Sequence, residues 1–230
     1  MYTVGSLFSG IGGLDIGFER AGFEIKWQCE IDPFCQNVLR KHWPEIPCHT
    51  DIKCATLEPV DVLIGGFPCQ DISNAGKTRG IHGEKSQLWF EMLRIIRLLR
   101  PRFILVENVS ALLNRGFGTI LGGLAEIGYD AEWTVLSAAT VGAPHLRKRI
   151  CLVAYSDYKG EPILSIDDEE WSRVQTSNKR EAWLLQEPNM GRMDDGIPRR
   201  MDRIRGLGNS VVPQWAEFFA ARIKKAIDYQ

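Results

Sequence analysis

Six cysteines occur in this sequence, and Cys69 stands apart by its neighbours. It follows Gly65-Gly66-Phe67-Pro68 and precedes Gln70, at the end of a run from Val60 to Gly65 that reads as a buried strand. Glycines before it, a proline that restrains its loop and basic residues after it favour a thiolate and nucleophilic attack. Cys29, Cys35, Cys48, Cys54 and Cys151 lack such surroundings and read as small buried hydrophobes. There is no C-x-x-C pair, which argues against a zinc site and a disulfide framework alike. Val106-Glu107-Asn108-Val109 closes a second apolar run with a carboxyl and an amide. Acid catalysis is open to such a group, although a strand-end carboxylate commonly just caps a helix.

Another cluster of residue types suits a nucleoside. Phe8-Ser9-Gly10-Ile11-Gly12-Gly13 follows a strand-like segment and opens a helix, so its glycines stand where the backbone turns tightly and admits a ligand. Asp15 stands three residues after Gly12, a departure from G-x-G-x-x-G that disfavours a dinucleotide and hence a nicotinamide dehydrogenase. Glu30 follows the next strand, where a carboxylate can accept hydrogen bonds from both ribose hydroxyls. Asp51-Ile52 ends a weaker strand; it either bonds an adenine amino group with Ile52 over the ring or is an ordinary turn.

These residues need a scaffold, and the first 155 residues alternate strand-like runs with amphipathic segments, the pattern of an α/β, mostly parallel sheet covered by helices. Strands are expected at Thr3–Ser9, Glu24–Cys29, Val60–Gly65, Phe103–Glu107, Ala131–Ser137 and Arg149–Tyr155, with a short one at Cys48–Asp51. Helices fit Leu14–Arg20, Pro33–His42, Gln87–Leu99, Thr119–Ile127 and Gln214–Ile227. Too few residues separate the last two strands for a crossover helix, so they should pair antiparallel. Residues 156–205 show no sustained period and read as an excursion over the ligand edge of the sheet. The expected division is therefore a catalytic domain over 1–155, a recognition segment over 156–205, and residues 206–230 completing the first domain.

With 230 residues, 44% of them hydrophobic, the chain can hold one full core and is neither disordered nor collagen-like. No apolar run reaches the ~18 residues of a membrane span and no basic signal-peptide head opens the chain, so a cytoplasmic protein without a membrane partner is expected. Its 28 Lys and Arg against 29 Asp and Glu exclude a protein that coats nucleic acid indiscriminately. Locally, however, Lys77 to Arg115 is basic while Asp167-Asp168-Glu169-Glu170 would repel phosphate.

Phe8-Ser9-Gly10-Ile11-Gly12-Gly13, Gly66-Phe67-Pro68-Cys69-Gln70, Glu107-Asn108-Val109, Arg147-Lys148-Arg149 and Gly208-Asn209-Ser210-Val211 resemble the ordered motifs of DNA cytosine 5-methyltransferases, including compact phage and prophage members. The resemblance implies a Rossmann-like S-adenosylmethionine-dependent methyltransferase fold, a mixed seven-stranded sheet with helices on both faces plus a small irregular recognition segment. It also implies S-adenosylmethionine as cofactor, no metal, and double-stranded DNA as partner. Cys69 would add to carbon 6 of a flipped cytosine, Glu107 would protonate N3, Asn108 would orient that pocket, Arg149 would bind the base oxygen and Arg147 the adjoining phosphate. The implied cofactor set is Phe8, Gly10, Ile11, Gly13, Glu30, Ile31, Asp51, Ile52, Gly66, Pro68, Leu88, Asn209, Ser210 and Val211. Ser73 and Lys77 fall in the loop that the family closes over DNA. His145 replaces the family's usual glutamine, and Ser6 stands where an aspartate often precedes Leu-Phe.

The family's large recognition region is reduced here to residues 156–205. Arg192, Arg199, Arg200, Arg203 and Arg205 are read as DNA contacts, a salt-linked loop being the alternative. So short a segment implies either a short target site or a separate specificity subunit, and a restriction endonuclease would need its own chain. Methylation of transfer RNA and a catalytically idle DNA-binding remnant are the competing functions.

Overall fold

The computed structural model describes residues 1–68, 88–141, 147–164, 202, 206 and 210–229. Seven strands, β1 Thr3–Leu7, β2 Glu24–Cys29, β3 Cys48–His49, β4 Val62–Gly65, β5 Phe103–Val109, β6 Asp130–Ser137 and β7 Lys148–Tyr155, form one sheet in the order β3-β2-β1-β4-β5-β7-β6. The first five in that order run parallel, whereas β7 is antiparallel to both β5 and β6. The expected antiparallel pair at one edge is present. Its insertion, with β7 between β5 and β6, is a tertiary choice that no local pattern announces.

Helices cover both faces. On one side α1 (Gly13–Arg20) packs with α5 (Pro213–Asp228); on the other lie α3 (Leu88–Leu99) and α4 (Phe117–Glu126). Alternation along the strands feeds both layers. Phe103 and Leu105 of β5 join the α1/α5 layer with Val62, Ile64, Cys151 and Val153, while Ile104 and Val106 join the α3/α4 layer with Leu63, Ile150 and Leu152. Glu107 continues the phase of Phe103 and Leu105, and so lies under α5.

The helix boundaries have local causes. α2 (Pro33–His42) starts where Asp32 accepts from the backbone N–H groups of Phe34 and Cys35, with Pro33 in the first turn. α3 buries Met92, Ile95 and Ile96 as its spacing predicts, and Trp89 besides. It stops at Arg100, whose φ of 51° is left-handed, ahead of Pro101.

Residues 156–164 leave the sheet at the end of β7 beside the start of β5, since Tyr155 pairs with Phe103. Glu132 anchors this departure by accepting from Tyr155 Oη and from the backbone N–H groups of Ile163 and Leu164. The excursion thus begins at the sheet edge opposite the strand ends that follow Leu7, Gly65 and Val109. Most of the segment, 165–201, falls outside the described residues.

Candidate functional site

At the carboxyl ends of β1, β2, β4 and β5 a cavity of about 450 Å³ opens, within the size range of small-molecule sites. One wall is built from the β1–α1 turn. Phe8 has φ 54°, a left-handed conformation costing a non-glycine residue ~1–2 kcal/mol. The turn holds it there: Gly12 N–H donates to Ser9 O at 2.9 Å, and Ser9 N–H to Cys29 O at 3.2 Å. Gly12 itself has φ 86°, and a Cβ on it would lie 2.5 Å from Trp43. On Gly13 a Cβ would meet Val211 O at 2.5 Å and Ser210 Oγ at 2.6 Å, so the glycine lets the 210–212 segment close over the start of α1.

Beneath this turn Asp15 is fully buried and accepts from Ser6 Oγ at 3.1 Å and Gln28 Nε2 at 2.8 Å. Burial pushes its carboxyl up to about 6, with both hydrogen bonds opposing the rise. Its polar partner Ser6 is the residue that stands where an aspartate is common in the family.

Glu30, Asp32 and Asp51 face the cavity from this end. Glu30 is oriented on both oxygens, Oε2 accepting from Gly10 N–H and Oε1 from Asp32 N–H, each at 2.8 Å. Asp51 uses Oδ1 to accept from Lys53 N–H at 2.9 Å, so its side chain is set by its own turn. The neighbouring thiols are unsuited to attack. Cys29, pushed up to about 12 chiefly by burial and then by Glu30, is held as the neutral thiol, and burial likewise raises Cys151.

At the other end stand Glu107, Asn108, Arg147 and Arg149. Glu107 is 7% exposed, and Arg149 Nε lies 2.9 Å from its Oε1 across the antiparallel β5–β7 ladder. The contact is a close ion pair between a buried carboxyl and a guanidinium. Desolvation raises the Glu107 pKa, while Arg149 and Arg147 pull it down without cancelling the rise. Burial, then the nearby Arg149, lowers the Arg147 pKa, and Arg147 Nη1 donates to Ser210 O at 2.8 Å. Asn108 Nδ2 donates to Phe67 O at 3.1 Å, tying β5 to the loop that follows β4. Gly66 makes that approach possible, because a Cβ there would lie 3.0 Å from Glu107 Oε2.

Phe8, Gly10, Gly13, Glu30, Ile31, Asp51, Ile52, Gly66, Pro68, Leu88, Ser210 and Val211 line this cavity together with Glu107, Asn108, Arg147 and Arg149. Ile11 does not line it, but lies beside Gly206, which does. Cys69, Ser73, Lys77, His145, Arg192, Arg199, Arg200, Arg203, Arg205 and Asn209 fall outside the described residues; Pro68, bonded to Cys69, is at the wall. Sequence reasoning missed Asp32, Phe67, Asp202 and Gly206, and treated Cys29 and Cys35 as plain core although both line the cavity. Asp32 carried a signal, an aspartate directly before Pro33 at a helix start. Asp202 carried none. Among the described residues, no helix is long and apolar enough to cross a membrane, and no group of three or more His, Cys, Asp and Glu could hold a metal ion.

Comparison with known proteins adds an independent line. Residues 2–198 match the family model of C-5 cytosine-specific DNA methylases. The chain is 34% identical over 164 residues to the type II methyltransferase M.DsaV of Dactylococcopsis salina, covering 69% of this chain and 47% of that protein. It is 37% identical over 176 residues to the type II methyltransferase M2.BsuMI of Bacillus subtilis, covering 72% and 45%. The methyltransferase EhMeth of Entamoeba histolytica shares the fold, with a TM-score of 0.66 at 16% identity over 100% of this chain and 99% of that one. The chain spans about half the length of these curated relatives.

Proposed function

The chain belongs to the C-5 cytosine-specific DNA methylase family, and from that premise we propose that it transfers a methyl group from S-adenosylmethionine to carbon 5 of a cytosine turned out of duplex DNA. The observation that carries this reading is Glu107, a buried carboxyl with a raised pKa at the opposite end of one cavity from a glycine turn and an oriented Glu30.

The residues present fit the cofactor. Gly10 to Gly13 with Phe8 and Ile11 form the turn, and Glu30 has lone pairs left for the ribose hydroxyls. Asp51 offers Oδ2 to an adenine amino group, with Ile31 and Ile52 beside the ring. Leu88, Gly66, Pro68, Asn209, Ser210 and Val211 are assigned the methionine half. When bound, S-adenosylmethionine supplies an electrophilic methyl group on a sulfonium.

Carbon 5 of cytosine is a weak nucleophile, and the side chains are assigned to correct that. The Cys69 thiolate adds to carbon 6, and the displaced electron pair is drawn towards N3, where protonated Glu107 donates its proton. Burial of Glu107 supports this role by favouring the protonated form. Arg149 binds the base oxygen and Arg147 the adjoining phosphate, with Asn108 orienting the pocket. Once carbon 5 is methylated, its proton passes to a water, the thiolate leaves carbon 6 and N3 returns its proton to Glu107, which restores the ring. Turning the base out of the stack costs a few kcal/mol, offset by protein contacts.

Double-stranded DNA is the proposed substrate, contacted by Ser73, Lys77, Arg192, Arg199, Arg200 and Arg203. A separate specificity subunit and a restriction endonuclease are the further partners proposed, with the bacterial or phage-infected cytoplasm as the place of action. Radiolabelled S-adenosylmethionine incubated with duplex DNA or transfer RNA tests the assignment, with Cys69→Ser as control. Label is expected in DNA and absent with the variant; label in RNA alone overturns the substrate. Covalent trapping on 5-fluorocytosine DNA, lost in Cys69→Ala, tests the thiol adduct separately.

A further inference from the structure

We infer that Arg94, on the outward side of α3 and not a wall residue of the cavity, is a positioning residue that sets adenine selectivity by clamping the Asp51–Ile52 turn. This deepens the cofactor reading above and rests on it.

The turn is short of support from its own strand. β3 is only two residues long, and the Asp51–Ala55 backbone leaves the sheet immediately after it. Locally it is closed by Cys54 N–H and Ala55 N–H, which donate to Asp51 O at 3.3 and 3.0 Å. These bonds shape the turn but tie it to nothing else. Ile52 packs its side chain into the α3/α4 layer, yet apolar packing is non-directional and cannot by itself fix the rotation of the peptide on either side.

Arg94 supplies the direction. Its Nη2 donates to Ile52 O at 2.9 Å across 42 residues of sequence, while its Nε donates to Glu91 Oε2 at 2.8 Å one helical turn earlier. The guanidinium is planar and forked, so the bond to Glu91 orients the plane in which the bond to Ile52 is made. A carbonyl held this way fixes the peptide plane after Ile52, and the Asp51 side chain is then set by Lys53 N–H within the same turn. Leu88 at the start of the same helix lines the cavity. With six residues at ~1.5 Å each between them, α3 acts as a rigid strut of ~9 Å from the cavity wall to the adenine turn.

The selective consequence follows from the donor set. An adenine amino group donates to Asp51 Oδ2, whereas the oxo group of hypoxanthine at the same position would face a carboxylate oxygen and be rejected. Discrimination between them depends on where the Asp51 carboxylate stands, and hence on the clamp.

The experiment measures the Kd of S-adenosylhomocysteine and of S-inosylhomocysteine for the wild type, Arg94→Ala, Arg94→Lys and Glu91→Gln, together with KM for the cofactor, kcat and Tm. The expected result for Arg94→Ala is a loss of about five- to tenfold in S-adenosylhomocysteine affinity, the size of one ordinary hydrogen bond. S-Inosylhomocysteine affinity should stay unchanged, so selectivity narrows, and KM should rise while kcat holds. Arg94→Lys, which can reach Ile52 O without the fork, is expected in between, and Glu91→Gln close to the wild type. Equal losses for both ligands, or unchanged selectivity in Arg94→Ala, overturn the inference whatever happens to Tm. Failure of the wild type to bind S-adenosylhomocysteine overturns instead the cofactor reading on which it rests.

Discussion

Glu30 and Glu107 stand at opposite ends of one cavity, each at or just past the carboxyl end of a parallel strand, and the surrounding backbone treats them differently. Glu30 accepts a backbone N–H on each oxygen. Glu107 instead faces Arg149 of the neighbouring antiparallel strand and Arg147 just before that strand while shielded from water. A carboxylate held by two main-chain donors is a fixed acceptor suited to binding. One desolvated beside arginines is suited to holding and releasing a proton, because burial favours the neutral form and the arginines the charged one.

Replacing Glu107 is the most severe way to break this contrast. Glu107→Gln keeps the shape and removes the acid, so methyl transfer is expected to fall by about 10²–10⁴-fold, with S-adenosylhomocysteine binding retained by calorimetry. Retained turnover would place the proton source elsewhere. In the wild type the rate should decline as pH rises through the raised Glu107 pKa, because the protonated form is the donor.

Asp15 sharpens the comparison, since it is as buried as Glu107 but lies outside the cavity. Its folded value of about 6 exceeds the ordinary 3.8, so folding favours the protonated form. That stabilisation is complete below about pH 4 and is lost as pH rises through about 6, a difference of about 3 kcal/mol. Asp15→Asn should therefore flatten the fall in Tm between these limits; a slope that persists in the variant assigns the titration to another group. Burial alone does not mark a catalyst; burial at the cavity does.

Glu30→Ala removes the acceptor of Gly10 and Asp32 and is expected to weaken S-adenosylhomocysteine by about 10–30-fold, read as a rise in cofactor KM with kcat kept. An equal loss of kcat would mean that Glu30 does more than bind. Gly66→Ala would set a methyl 3.0 Å from Glu107 Oε2, and the displaced carboxyl should lower kcat by about tenfold; an unchanged kcat would show that the loop yields instead.

Much of this was legible along the chain. The strand and helix positions follow from periodicity and from turn glycines, and helix α2 begins where Asp32-Pro33 says it should. Boundaries moved by a residue or two where capping or pairing decided them, as at β5, which runs on to Val109 because β7 pairs with it that far. Asp202 and Gly206 line the cavity without any signal, because the chain returns to it from a distant part of the fold.

By itself the sequence determined which residues could do chemistry and the order of the elements that carry them, since side-chain type, spacing and turn preference are local properties. Only the tertiary structure decided the state of Glu107. Its desolvation comes from β7 and α5, which lie 40 to over 100 residues further along. Its arginines reach it only because β7 inserts beside β5 in the opposite direction. Burial is set by what packs around a residue, and that is written in no stretch of chain short enough to read as a motif.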